Sequence, residues 1–405
     1  MKRILAILFA VLLVCTMAVP AFAVESSGLA GTTINVFNWG EYISDGSEGS
    51  MDVNAEFTKR TGIKVNYNNY DTNENMYAKL KNDGVSYDII IPSDYMIQRL
   101  IAEDMLQKID FSNIPNYKYI DAKYKGLYFD PNDAYSVPYN VGLVGLIYNT
   151  KMVKEAPTSW NVMWDEQYKG KILMFDNPRD AFGIAQKLLG QSFNTTDEAE
   201  WKAAAEKLKA QKPILQGYVM DDIFRKMENG EAAIAPYYAG DFITMHDNNP
   251  DLAFVYPQEG VNIFVDSICI PKNAKNKAAA EAYINFLLDP DVAVENANYL
   301  GYATPNTAVL AHEDYALKGN EYLYPAEDQT PKTEYFYNLP QKTLTLMTDL
   351  WSELKASQNI EAGEERKTDD TWLYVGIGAV VVIAAAVIVY KVIRKKKRDF
   401  ADAED

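Results

Sequence analysis

The sequence predicts an α/β protein of two lobes with a cleft between them, and three observations carry that expectation. Short β-rich runs alternate with segments of helical spacing through most of the chain, the pattern of largely parallel sheets covered by helices. The alternation comes in two sets, one before Pro138 and one after it. The chain then returns through Asp266 to Ile270, so that extended crossovers join the sets.

In the first set, Thr33 to Phe37, Lys64 to Tyr67 and Asp88 to Ile91 read as strands. Between them Val53-Ala55-Phe57 and Met76-Tyr77-Leu80 have helical spacing and stop near Gly62 and Gly84, where glycine ends helices in the left-handed conformation. The second set has strands at Leu143 to Tyr148, Lys171 to Met174 and Ala232 to Ala235, with helices near Asp180 to Leu189 and Asp197 to Lys209. Ala278 to Leu288 reads as a further helix. In open parallel sheets ligands bind beyond the carboxyl ends of the strands, so the loops there are the first place to look for a site.

The two ends of the chain carry targeting signals. Lys2 and Arg3, an apolar stretch from Ile4 to Val14 and Ala21-Phe22-Ala23 form an export signal, cleaved before Val24. Leu13 and Val14 before Cys15 are bulkier than a lipoprotein peptidase accepts. Trp372 to Tyr390 is an uncharged stretch of nineteen residues followed by Lys391 and Arg394-Lys395-Lys396-Lys397-Arg398. Such a stretch reads as a membrane-spanning helix with the basic cluster in the cytoplasm and the lobes outside. The expected organisation is a signal peptide at 1–23, a first lobe at 32–137 with 267–306, and a second at 138–266 with 307–357. A linker follows at 358–370, then the transmembrane helix at 371–393 and a cytoplasmic basic tail at 394–405. As a flexible coil the linker would reach roughly 20 Å, keeping the lobes near the bilayer.

Composition narrows the function. The chain has 405 residues with 48% hydrophobic and 23% charged side chains, as in ordinary globular proteins. Its net charge of -17 repels a phosphate backbone and argues against nucleic acid; a cationic small ligand is the easier match. Cleavage of the signal leaves Cys269 as the sole cysteine, which excludes a disulfide or a cysteine-rich metal site. With two histidines, His246 and His312, and no phosphate loop or zinc-binding helix, the chain has no catalytic constellation, no metal site and no cofactor motif. Asp71-Thr72-Asn73-Glu74-Asn75 imitates a calcium loop, but Met76 stands where glycine must bend the chain.

Aromatic and acidic residues instead gather at strand ends: Trp39 and Tyr42 after the first strand, Ser93-Asp94-Tyr95 after the third, Tyr238 with Asp241 after a later one. A linear polyamine carries ammonium groups spaced by methylenes. It asks for carboxylates at the charges and flat rings along the chain, each ring–cation pair contributing ~0.5–2 kcal/mol.

At these residues the sequence resembles the spermidine/putrescine-binding proteins of polyamine ABC transporters, in the type II family of periplasmic binding proteins. The resemblance runs from about Thr33 to about Lys355. Its segments are Asn38-Trp39-Gly40-Glu41-Tyr42, Tyr87 through Tyr95, Ser136-Val137-Pro138-Tyr139, Asp266-Ser267 with Ile270-Pro271, and Gly301-Tyr302 with Thr304-Pro305-Asn306. It implies a two-lobed periplasmic-binding-protein-like fold whose lobes close on the ligand about hinges near Val137 to Gly142, Asp266 to Ser267 and Thr304 to Asn306. It also implies a monomer that delivers polyamine to permease subunits driven by a cytoplasmic ATPase. Carried over residue by residue, Trp39, Tyr42, Ser93, Tyr95 and Tyr302 match cleft residues of the family, and Asp266 matches its main carboxylate for an ammonium. Phe264 and Tyr238 stand in for two tryptophans, Asp241 matches a carboxylate of putrescine-preferring members, and Asp180 falls where the family places another acid. Gly40 replaces a hydroxyl residue, Asn177 an aspartate and Phe336 a polar residue. Two alternatives stay open: a receptor for another cationic amine, an amino-acid derivative or ferric ion, and a two-lobed enzyme with Cys269 as nucleophile.

Overall fold

The computed structural model describes residues 28–82, 86–327 and 329–365. It opens with β1 (Thr33–Trp39), α1 (Val53–Thr61), β2 (Lys64–Tyr70), α2 (Asn73–Asn82), β3 (Ile89–Ile90) and α3 (Asp94–Ala102). Helix α1 shows how locally this order is encoded. Val53, Phe57 and Thr61 recur every four residues and are buried, while the Asp52 carboxylate at its start accepts the Ala55 amide at 2.8 Å. Gly62 then ends it at φ 73°, a left-handed conformation that costs a residue with a Cβ about 1–2 kcal/mol.

The middle of the chain forms β4 (Ser136–Asn149), β5 (Ile172–Phe175), α4 (Pro178–Leu188), α5 (Glu198–Gln211), β6 (Leu215–Val219), α6 (Asp222–Glu228), β7 (Ile234–Tyr238), α7 (Ala239–Asn248) and β8 (Leu252–Val255). Next come β9 (Val261–Cys269), α8 (Lys277–Leu287), α9 (Pro290–Leu300), α10 (Thr307–Ala311), β10 (Thr333–Glu334) and α11 (Gln341–Glu365).

The strands run in the order β2-β1-β3-β9-β4-β7-β5-β6, with β10 beside β9 and β8 beside β4. β1 lies parallel to β2, from Thr33 opposite Lys64 to Trp39 opposite Tyr70, and parallel to β3. β5 is parallel to both β6 and β7. Between these two parallel groups the central pair β4 and β9 is antiparallel, from Ser136 opposite Cys269 to Leu143 opposite Ile263. Its register shifts between Pro138 and Asn140, as expected where proline supplies no donor to the ladder. β4 continues from Val144 to pair with β7 and β8.

The protein is therefore a two-lobed α/β fold in which β4 and β9 run from one lobe into the other. All fourteen residues of β4 are buried, flanked by β9, β7 and β8. The Val137 to Gly142 crossover expected from sequence lies inside this continuous strand.

One expectation is corrected at the C-terminal end. The linker from Gln358 was expected as a coil, yet α11 is helical through Glu365; its glutamates, glutamine and alanine are good helix formers without proline to stop them. Among the described residues no helix is long and apolar enough to cross a membrane. The signal segment 1–23, residues 366–370 of the linker, the stretch Trp372 to Tyr390 and the basic tail lie outside the described residues.

Candidate functional site

The parallel strands of both lobes point their carboxyl ends at one cavity of about 660 Å³, counted with its mouth. β1 ends there in Trp39 and hands over to Gly40, Glu41 and Tyr42; β3 leads to Ser93, Asp94 and Tyr95 at the start of α3. From the other lobe β5 leads to Asn177 and Asp180 at the start of α4, β6 to Met220, Asp221 and Phe224, and β7 to Tyr237, Tyr238 and Asp241. Asn262, Phe264 and Asp266 of β9 line the floor, with Asn73, Tyr302 and Phe336 completing the walls.

All eleven residues singled out from sequence line this cavity: Trp39, Tyr42, Ser93, Asp94, Tyr95, Asp180, Tyr238, Asp241, Phe264, Asp266 and Tyr302. The structure adds Asn73, Met220, Asp221, Phe224, Tyr237 and Asn262. Of these, Tyr237 had a visible signal as the neighbour of Tyr238. Met220, Asp221 and Phe224 follow a strand, Leu215–Val219, whose glycine and half-exposed side chains hide it from pattern reading.

The charge of the cavity is one-sided. Glu41, Asp94, Asp180, Asp221, Asp241 and Asp266 line it, and among the described residues no lysine, arginine or histidine does. Three of these carboxylates sit in the first turn of a helix: Asp94 in α3, Asp180 in α4 and Asp241 in α7. There the helix dipole and free amides favour negative charge. Asp94 is consumed by this role, since its oxygens accept the Tyr95 amide at 2.7 Å and the Val265 amide at 3.2 Å.

Asp266 is different. The Tyr42 hydroxyl donates to its Oδ2 at 2.7 Å, while Oδ1 is buried without a hydrogen-bond partner. A buried acceptor left unpaired costs about 1–3 kcal/mol, more when charged. Burial pushes the carboxyl up to about 6 against the help of Tyr42 and Ser93. Asp180 accepts the Tyr238 hydroxyl at 3.1 Å and is pushed up to about 7, by burial first and then by Glu74 and Asp266, with Tyr238 and Arg179 opposing. Asp241 is also held well above the carboxylate range by burial; the Tyr302 hydroxyl lowers it, and Asp221, Glu41 and Asp266 raise it further. Burial is the main force holding each of these groups back from ionising, and a cation in the cavity would favour their charged forms.

Rings form the rest of the lining. Tyr42 meets Tyr302 edge-on at 5.2 Å, Tyr302 leads to Phe264 at 6.5 Å, and Phe264 meets Tyr238 edge-on at 5.4 Å. Trp39 is fixed by a hydrogen bond from its indole nitrogen to the Ile91 carbonyl at 2.9 Å and by contact with the Tyr70 ring at 4.8 Å. At the far wall the Tyr95 hydroxyl donates to Glu74 at 3.0 Å, and Asn73 joins Ser93 and Tyr95 through its amide at 3.1 and 3.2 Å. The tyrosine hydroxyls are spent on carboxylates, so the cavity offers mainly ring faces and negative charge. Cys269 is fully buried in β9, and burial raises its thiol well above the usual range, where it is inert. Among the described residues no group of three or more His, Cys, Asp or Glu side chains converges as metal ligands do.

Known proteins share this architecture. The spermidine/putrescine-binding periplasmic protein of Salmonella typhimurium is 36% identical over 329 residues, 80% of this chain and 92% of that relative. A solved structure assigned to spermidine/putrescine ABC transport in Listeria monocytogenes superposes with a TM-score of 0.75 at 36% identity, covering 80% of this chain and 99% of the other. The spermidine/putrescine ABC transporter substrate-binding protein of Streptococcus pneumoniae does so with a TM-score of 0.66 at 34% identity, covering 81% and 99%. These relatives are binding components of transport systems rather than enzymes. Residues 53–321 match the family profile itself, and with the sequence identity over most of the chain this makes it a member of the bacterial extracellular solute-binding proteins.

Proposed function

We propose that the cavity captures a linear polyamine, putrescine or spermidine, and that the protein delivers it to the permease of an ABC importer driven by a cytoplasmic ATPase. One observation carries this reading: six carboxylates and a run of aromatic faces line a cavity to which no cationic side chain among the described residues contributes. An ammonium at Asp266 would pair with the orphaned Oδ1 through a charge-assisted hydrogen bond, and methylenes would lie along Tyr302, Phe264 and Tyr238. The similarity to spermidine/putrescine-binding relatives supports the same ligand class.

In this reading the ligand draws together the lobes, which divide near Val137 and Asp266 on the shared strands, by favouring the closed arrangement over the open one. In this reading the receptor works as a monomer. The uncharged stretch Trp372 to Tyr390 with its basic flank tethers it to the membrane in one pass, lobes outside.

Titration calorimetry of the purified full chain in detergent tests the assignment. Putrescine or spermidine should bind at micromolar or tighter affinity, about 8 kcal/mol or more, and 1,4-butanediol, equally long but uncharged, should not. Failure of every polyamine, or equal binding of the diol, would remove the reading.

A further inference from the structure

Gly40 and Asp221 come from opposite lobes, Gly40 directly after β1 and Asp221 two residues after β6, strands near opposite ends of the sheet order. Yet they touch across the cavity. A Cβ built on Gly40 would overlap the Asp221 Oδ2 and lie 3.2 Å from its Cγ. The space left by the missing side chain is thus filled by the end of a carboxylate from the facing lobe.

We propose that Asp221, admitted by the bare backbone of Gly40, is a cross-cleft ligand for the second ammonium group of a diamine, and so a determinant of specificity for doubly charged ligands. This rests on the polyamine reading and adds to it the residue that reads the ligand's far charge. Asp221 enters a region already negative: Glu41 lines the same cavity, and both Glu41 and Asp71 act on Asp221 electrostatically. Asp241 lies close enough to feel Asp221. The Tyr237 hydroxyl hydrogen-bonds Asp221, and like charge from Glu41 and Asp71 acts on it as well.

Such a cluster has two states of opposite sign. Empty, Asp221 on one lobe faces Glu41 and Asp71 on the other, and their repulsion favours separation of the lobes. With an ammonium between them each carboxylate gains a partner, and the same groups draw the lobes together. A monoamine anchored at Asp266 leaves this end unneutralised, so the cost of closing over it falls on the ligand. A side chain at position 40 forces Asp221 out of the recess or keeps the lobes apart, and either removes the contact.

The test uses the full chain in detergent with putrescine and n-butylamine, the latter measured by displacement of putrescine. Asp221→Asn, nearly isosteric, should weaken putrescine by about tenfold or more while butylamine binds as well as before or better. Asp266→Asn should weaken both. Gly40→Ala should weaken putrescine about tenfold in the unaltered background but less than about threefold when combined with Asp221→Ala, the signature of two coupled positions. Thermal melting of each variant separates loss of fold from loss of contact. Equal effects of Asp221→Asn on both amines, no effect on putrescine, or the same cost of Gly40→Ala in both backgrounds would each overturn the proposal while leaving the polyamine function standing. If the unaltered protein binds neither amine, both fall.

Discussion

Lowering the pH from 8 to 5 takes Asp266 and Asp180 from mostly charged to mostly protonated, because burial has moved their ionisation to about 6 and about 7. The ligand's primary ammonium groups keep their protons across this range, as lysine does. A cation binds the ionised cavity, so each carboxylate it contacts must lose its proton first, and affinity rises with pH. At pH 8 both groups are ionised in about nine molecules of ten or more. At pH 5 the ionised fraction is about a tenth for Asp266 and about a hundredth for Asp180. If the bound ligand meets both, putrescine loses about a thousandfold in affinity between pH 8 and pH 5, about 4 kcal/mol at 1.4 kcal/mol per decade. Calorimetry in two buffers of different ionisation enthalpy reads the effect twice, as the change in Kd and as protons released per ligand near pH 6 to 7. A loss of only about tenfold would leave Asp266 as the single contact. Constant affinity with no proton release would refute the argument that these buried carboxylates face the ligand's charge.

Folding stability follows from the same groups with the sign reversed in the empty protein. Their folded pKa values lie above the ordinary 3.8, so the stability they contribute is present below pH 3.8 and is lost as pH rises through about 6 and 7, on the order of 3 kcal/mol or more for each. The empty protein should therefore melt at a lower temperature at pH 8 than at pH 5, and saturating putrescine should reverse the order; scanning calorimetry at the two pH values decides. Asp266→Asn removes the carboxylate while keeping the Tyr42 contact, and should weaken polyamine binding by at least about tenfold; unchanged calorimetric affinity would contradict a direct contact. Cys269 is fully buried, so a thiol reagent should fail to modify the native protein, react with one thiol after denaturation, and leave putrescine affinity unaltered; rapid labelling of the native state would place the cysteine elsewhere.

Local physics made much of this molecule legible in its sequence. The helix from Val53 to Thr61 is written in a capping aspartate, a four-residue apolar spacing and Gly62. The carboxyl ends of β1 and β3 are written in largely apolar segments that finish in Trp39 and lead on to Ser93-Asp94-Tyr95. Because parallel strands place binding loops at their carboxyl ends, the residues there could be named before their neighbours were known, and all eleven line one cavity.

What the tertiary structure alone decided is which of those loops face each other. Asp221 and Gly40 are far apart in sequence and carry no shared local signal, and β6, which precedes Asp221, is a short edge strand without a clear alternation. That Asp266 keeps one oxygen bare while Asp94 spends both on backbone amides is likewise invisible in the chain, since both are aspartates near strand ends. Hydrogen-bond partners and burial come from segments hundreds of residues away, Tyr42 for Asp266 among them. The sequence determined the elements and the kinds of side chain at their ends, because propensity, capping and periodicity act over a few residues. Only the packed sheet, crossing between lobes through β4 and β9, decided the distances that turn separate acids into one receptor for positive charge.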